Sequence, residues 1–377
     1  MIRLFILYIT LLFCNSLSAQ FVEQPLPALP PELAGYKAGF FDNFTKELED
    51  SSGAVGSFIV WRQMGIIYEH YFHGATDSQV FNIKSITKSM VSAMAGIAHD
   101  KKLLPDLNRP VLTYFPEYAK DRHTVPGVLF PNWLASNDAF RKKLTLKHLL
   151  SMQPGFDWND FGQLVNAYIN SSDPVRFTLD LHFSDTPGTK FVYCSPAVSV
   201  FSAALTKAVK TDLRAFAKTN LFDPTGITLH RWDKDATGRY FGASEMYMTA
   251  RDLLRFGLLY FHNGKVDNKQ VISTEWIKAS TEQQAVLNYW DIMPNANGYG
   301  YYWWRRKTNG YQAFIASGAG GQLIAVVPDL EMVIVATTFF NEHNRGREEI
   351  RCLHSFIDKV TKTAGPLIDY CPTVSNP

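Results

Sequence analysis

Apolar residues recur at helical spacing in some stretches and at strand density in others, and the switches between the two periods divide the chain. Phe40 to Leu48 predicts a first helix. Val55 to Arg62 and Ile66 to Phe72 are β-rich runs joined by Gln63-Met64-Gly65, which reads as a hairpin. Ile86, Met90, Val91, Met94 and Ile97 then fall on one helical face. The small Ser92, Ala93, Ala95 and Gly96 between them let that helix lie close to its neighbours, so Ile86 to His99 predicts a buried central helix. A proline-punctuated stretch fills Lys101 to Asn137. Leu144 to Met152 follows as a short helix capped by Thr145 and stopped by Pro154-Gly155. Val198 to Val209 predicts another helix. Thr249 with Asp252 three positions on opens a further one through Leu253, Leu254, Phe256 and Leu258 to Gly264. Trp276 to Ser280 closes this helical block.

After Asn297 the period changes. Tyr299 to Arg306, Tyr311 to Ala316, Gln322 to Val327 and Met332 to Thr338 read as strands, with turns at Lys307 to Gly310 and Pro328 to Glu331, and Glu348 to Thr361 returns to helix. A hairpin near one end and several strands near the other are explained by one sheet built from both ends. The expected fold is α/β: an antiparallel sheet flanked by helices, with an inserted mostly helical lobe. The sheet lobe takes residues 36–84 and 297–365, the helical lobe 85–296, and a site belongs in the cleft between them.

Composition narrows the function. With 37 Lys+Arg against 35 Asp+Glu in 377 residues, the net charge of +2 supplies no field for nucleic acid or an anionic membrane. Arg305-Arg306 and Arg345 to Arg351 read as solvated faces. Residues 1–19 carry Arg3, an apolar run from Leu4 to Cys14 and the small Ser18 and Ala19, the pattern of a signal peptide cleaved after Ala19. A periplasmic or secreted protein is expected. Phe13 before Cys14 disfavours a lipoprotein, and no other stretch is apolar for long enough to cross a membrane. Removing the signal leaves Cys194, Cys352 and Cys371; Cys352 and Cys371 could pair, but an odd count leaves the pairing open. There is no Cys-x-x-Cys and no His-Glu-x-x-His, so neither a metal nor an organic cofactor is expected. His148, on the Thr145-capped helix, reads as a packing histidine.

Ser85-Ile86-Thr87-Lys88 opens the central helix and places a hydroxyl and an amine on one face, one turn apart. A hydroxyl attacks a carbonyl poorly without a nearby base, and an ammonium in a partly buried site sheds its proton more readily than in water. The helix start adds backbone N–H groups and positive partial charge where an oxyanion forms. A lone Ser-x-x-Lys recurs by chance; its context decides.

That context is Tyr193-Cys194-Ser195 at a loop-to-helix junction and Ser317-Gly318-Ala319-Gly320-Gly321-Gln322 between two strands. With these three segments in this order, and with Leu144 to Met152, Pro187-Gly188-Thr189 and Tyr247 to Leu253 as further matching phrases, the chain resembles the class C β-lactamase and penicillin-binding-protein family of serine hydrolases. The likeness is to its 6-aminohexanoate-dimer hydrolase and esterase-like branch in particular, and spans nearly the whole mature chain. The resemblance implies a β-lactamase/transpeptidase-like fold and an acyl-enzyme on Ser85. It implies that Lys88 keeps Tyr193 partly or wholly as phenolate, or shares its proton, and that Tyr193 relays the proton to the leaving group. Gly318 and Gly320 let the backbone approach a substrate, and Ala319 N–H is expected to pair with Ser85 N–H as an oxyanion hole.

Two departures shape the expected substrate. The third segment has no Lys or His where the β-lactamases and D-aminopeptidases carry one before Thr-Gly, which removes the usual anchor for a penicillin or peptide carboxylate. Ser195 stands where the family often has asparagine; its hydroxyl can bond Lys88 or substrate but reaches less far. The expected function is an exported hydrolase of a small amide or ester. The alternatives are a peptidoglycan D,D-peptidase or weak β-lactamase, and a penicillin-binding-like module without turnover. Asp157-Trp158 and Trp303-Trp304 are candidate cleft walls.

Overall fold

The computed structural model describes residues 26–119, 134–287, 293–339 and 347–366. Helix α1 (Phe40–Ser51) leads into the hairpin β1 (Val55–Arg62) and β2 (Gly65–Tyr71). The chain then enters α2 (Ile86–Asp100) and a series of short helices, among them Leu146–Leu150, before α3 (Ser195–Val209) and α4 (Ala250–Phe261). It returns as β3 (Ala296–Tyr299), β4 (Trp304–Thr308), β5 (Tyr311–Gly318), β6 (Gln322–Val327) and β7 (Met332–Thr338), and ends in α5 (Arg347–Thr363). The strand order is β2-β1-β7-β6-β5-β4-β3, antiparallel throughout, so the N-terminal hairpin joins the C-terminal strands where β1 meets β7, with Val60 opposite Ile334.

Helices cover both faces of this sheet, and that is why β1, β6 and β7 are buried at every position and read as continuous apolar runs. On one face Phe44 of α1 lies edge-on to Phe58 of β1 and Phe356 of α5, each at 5.2 Å between ring centroids. Side chains alternate along a strand, so Trp61 points to the opposite face, where it meets Phe261 of α4 at 5.2 Å. On that face α4 packs on β1, β6 and β7, and α2 packs on β5, β6 and α3. The central helix is therefore gripped between the sheet and the helical insertion, and its residues from Ile86 to Ala98 are all buried. A small second sheet, in which Phe81–Asn82 pairs with Met246–Met248, ties the approach to α2 to the approach to α4.

Three sequence expectations change. The run from Tyr299 to Arg306 is not one strand: Tyr302 adopts a left-handed backbone (φ 62°), Gly300 N–H donates to Trp303 C=O at 2.8 Å, and the chain folds back to pair Tyr299 with Trp304. Alternation of apolar residues cannot reveal a turn built from aromatics. Arg306 is not on a solvated face; it is fully buried, with Nη2 donating to Asp358 Oδ1 at 2.5 Å and Nη1 against His354 Nδ1 at 2.5 Å. Trp303 is buried among Tyr260, Phe256 and Phe314 and is no cleft wall. Residues 1–19, Arg345 and Cys371 lie outside the described residues; Cys352 is half-buried, with its thiol 3.8 Å from Ser51 C=O. Among the described residues no helix is long and apolar enough to cross a membrane, and no cluster of His, Cys, Asp and Glu could hold a metal ion.

Candidate active site

Ser85 is the N-cap residue of α2, half-buried, and Lys88 is one turn further on. The helix brings both to the same face, and Lys88 Nζ donates to Ser85 Oγ at 2.7 Å and to Ala243 C=O at 3.0 Å. Lys88 is 1% exposed. Burial penalises its charged form and lowers its pKa to about 8, partly offset by Asp160 and Cys194. The hydrogen-bond partners in contact with this ammonium are a hydroxyl and a carbonyl.

Tyr193 comes from the segment that runs into α3, which begins two residues later. Its side chain is hydrogen-bonded to Ser85, and Lys88 Nζ sits 5.0 Å from its ring centre. Behind it the ring stacks on Trp304 at 5.4 Å and meets Tyr299 edge-on at 6.4 Å. Trp304 is thus a wall of the site, while Trp303 next to it packs against Phe256 and Tyr260 of α4. The expectation that Lys88 holds Tyr193 as a phenolate is reversed. Burial first, and the Asp160 carboxylate second, push the Tyr193 pKa well above the usual phenol range, with only the Ser85 hydrogen bond acting against them. Lys88, rather than Tyr193, is the group poised to titrate.

The third segment is the β5–β6 turn. Gly318 ends β5, and a Cβ there would lie 2.5 Å from Ile83 C=O and 3.1 Å from Lys84 Cβ, so only glycine lets the strand come this close to the turn that carries Ser85. Gly320 and Gly321 have φ of 83° and 98°, and Gly321 N–H donates to Gly318 C=O at 3.2 Å. Gly318, next to Ala319 in the turn, is thereby held against the residues that lead into α2. Thr338 Oγ1 donates to Gly320 C=O at 2.5 Å, and the Gln322 side-chain amide donates to Thr338 C=O at 2.9 Å, fixing the turn to β7.

Ser195 is committed elsewhere than expected. Its hydroxyl donates to Asp160 Oδ2 at 2.6 Å and its N–H to Asp160 Oδ1 at 2.9 Å, and the Trp158 indole N–H also donates to Asp160. Asp160 is the residue that sequence reasoning missed. It follows the candidate wall Asp157-Trp158 by two positions, but nothing in its loop signals that it faces the start of a helix 35 residues away. Asp157 itself is exposed, and Trp158 serves as an indole donor to Asp160. His148 packs as expected, with Gly188 against its ring, and it also caps: its Nδ1 accepts from Thr145 N–H in a capping box.

Comparison with known proteins identifies the family. The family model described as Beta-lactamase matches residues 41–351. A 6-aminohexanoate-dimer hydrolase of Paenarthrobacter ureafaciens is 25% identical over 343 residues, covering 83% of this chain and 79% of the relative. Among solved structures, a beta-lactamase/D-alanine carboxypeptidase from Yersinia pestis superimposes with a TM-score of 0.63 at 18% identity, covering 85% of this chain and 97% of that one. EstCE1, a hydrolase with promiscuous acyltransferase activity, gives a TM-score of 0.64 at 16% identity over 84% of this chain and 97% of its own. The Ser-x-x-Lys pair at the head of a buried helix, a tyrosine before α3 and a glycine turn beside both lie within the matched residues, and the chain belongs to the beta-lactamase family, a serine hydrolase of the amidase and esterase type.

Proposed function

We propose that the protein cleaves a small amide or ester through an acyl-enzyme on Ser85. The observation that carries this reading is the 2.7 Å contact between Ser85 Oγ and a buried Lys88 whose pKa is lowered to about 8, a base within reach of the nucleophile and close to working pH. In its free-amine form Lys88 takes the Ser85 proton as Oγ bonds to the substrate carbonyl carbon and the C=O electron pair moves onto oxygen. The N–H groups of Ser85 and Ala319 hold that oxyanion. Collapse re-forms the carbonyl and breaks the bond to the leaving nitrogen or oxygen. Tyr193 gives its proton to the leaving group and is reprotonated by Lys88, so the proton lost from Ser85 ends on the product. Water then repeats the sequence against the acyl-enzyme, releasing the acid and restoring Ser85.

The substrate class follows from charge. The Ser317 to Gln322 turn carries no cation, and Asp160 places a carboxylate by the site, so anionic β-lactams and peptide carboxylates are poorly matched and neutral esters and short amides are favoured. The signal-like residues 1–19 support export, with a mature chain starting at Gln20 as the form to assay.

Labelling by a fluorophosphonate tests the nucleophile: the native protein takes the label and Ser85→Ala does not. Turnover of p-nitrophenyl esters and linear amide dimers should far exceed that of nitrocefin and D-alanyl amides. Tyr193→Phe should keep the fold and slow acylation by about a hundredfold, the range for loss of a proton-transfer group. Unlabelled native protein, label retained in Ser85→Ala, or full turnover by Tyr193→Phe would each overturn the part of the mechanism it addresses.

A further inference from the structure

The residue immediately before Ser85 is Lys84, and its backbone is left-handed, with φ of 49°. A lysine rarely takes that conformation, because its Cβ crowds the neighbouring carbonyl, and no glycine is present here to relieve the crowding. A second non-glycine residue nearby, Glu245, is also left-handed, with φ of 68°. The two are cross-linked. Asn82 Oδ1 accepts from Lys84 N–H at 3.0 Å, while Asn82 Nδ2 donates to Glu245 Oε2 at 2.7 Å. Lys84 Nζ lies 3.6 Å from Glu245 Oε1, and the Tyr247 hydroxyl donates to Glu245 Oε2 at 3.4 Å.

The backbone around this cluster reaches the reacting groups from both sides. Ile83 N–H donates to Met246 C=O at 2.9 Å, and Met246 N–H donates to Thr87 Oγ1 at 3.4 Å. Two residues before Glu245, the Ala243 carbonyl accepts from Lys88 Nζ. The same short segment therefore meets the turn before Ser85, the first turn of α2 and the amine beside the nucleophile. Strained backbone of this kind persists only where surrounding contacts over-determine it.

We infer that Asn82 and Glu245 are positioning residues, a side-chain latch that holds Lys84 left-handed and so aims Ser85 Oγ between Lys88 and Tyr193. The inference rests on the reading of Ser85 as nucleophile. Asn82 is the centre of the latch, since one amide accepts from the strained residue and donates to the carboxylate. Glu245 fixes the orientation of that amide and adds the ion pair. Without the latch, Lys84 relaxes to a right-handed or extended backbone and the hydroxyl moves off line, which slows attack without removing any reacting group.

The test is the rate of fluorophosphonate labelling in a double-mutant cycle. Asn82→Ala should slow labelling by about tenfold, the factor that fits the cost of an unsupported left-handed residue. Lys84→Gly supplies a residue for which that conformation carries no steric penalty. In the Lys84→Gly background, adding Asn82→Ala should therefore slow labelling by less than about threefold, a coupling that independent sites do not show. Should Asn82→Ala fail to fold, Glu245→Ala runs the same cycle with a smaller single-variant effect. A native labelling rate in Asn82→Ala, or an equal loss in both backgrounds, overturns the latch. Label surviving in Ser85→Ala would instead overturn the nucleophile assignment, so the two failures are distinct.

Discussion

Among the buried cations of the described residues, Arg306 and Lys88 are treated in opposite ways. Arg306, on β4, is fully buried and its guanidinium reaches Asp358 Oδ1 at 2.5 Å, while Thr308 Oγ1 donates to the same oxygen at 2.6 Å. Its other neighbour, His354, is kept neutral, because burial and then the adjacent guanidinium lower its pKa to about 3. Lys88 is 1% exposed, and its contacts are the Ser85 hydroxyl and the Ala243 carbonyl. Asp160 acts on it only through the field. The first arrangement keeps a permanent charge and ties α5 to the sheet. The second leaves an ammonium without a contacting counter-charge among the described residues, so the cheapest response to burial is to release the proton. In this pair the structural cation is matched by an anion and the chemical one only by dipoles.

The largest effect that separates the two comes from Lys88→Met. Acylation should fall by about a thousandfold, within the range for loss of a general base, while the fold persists. Its stability should also respond to pH with a definite sign. The native Lys88 pKa lies at about 8, below the ordinary lysine value of 10.5, so between those values the unfolded chain binds the proton and the folded chain does not. Stability of the native protein relative to Lys88→Met therefore rises with pH across that window and is level, at its lower value, below about pH 8. Parallel denaturation of both proteins at pH 7 and pH 10 measures this, and a native-minus-variant difference that stays constant would break the comparison. Asp358→Ala addresses the other cation. Leaving Arg306 buried without its carboxylate should cost on the order of 3 kcal/mol of stability, with activity per folded molecule unchanged. An equal loss in catalytic rate would show that the two regions are not separable.

Much of the fold was legible because it rests on local signals. The Thr145 and Thr249 caps, the Gln63 to Gly65 hairpin turn and the apolar face of the helix after Ser85 are all written within a few residues of where they act. The bringing together of Ser85, Lys88 and Tyr193 was an implication of the family resemblance that their segments carry. What could not be read were choices settled by residues far away in sequence. Ser195 turns to Asp160, Arg306 turns inward to a carboxylate 52 residues later, and Trp303 and Trp304 part at the kink set by Tyr302. The direction of the Tyr193 shift belongs with these, since it is fixed by burial and by Asp160 rather than by the lysine nearest in the motif.

The smallest and most selective probe is Asp160→Asn, which removes the one carboxylate acting on Lys88 while keeping the shape of the side chain. An asparagine oxygen can still accept from Ser195 N–H and the Trp158 indole, and Ser195 Oγ can turn to accept from the new amide, so the start of α3 stays in place. The electrostatic consequence has a fixed direction. Asp160 raises the pKa of Lys88 against the pull of burial, so its neutralisation lets that pKa fall further below about 8. More of the lysine is then free amine at neutral pH, and the midpoint of the rise in labelling rate with pH moves to lower pH. The same change removes the Asp160 contribution that holds Tyr193 upward, so its phenol becomes a somewhat better proton donor to the leaving group. A pH–rate profile of labelling for the native protein and for Asp160→Asn measures the shift. A midpoint that stays put or moves up would mean that the proton governing Ser85 does not reside on Lys88, and the contrast with Arg306 would lose its chemical half.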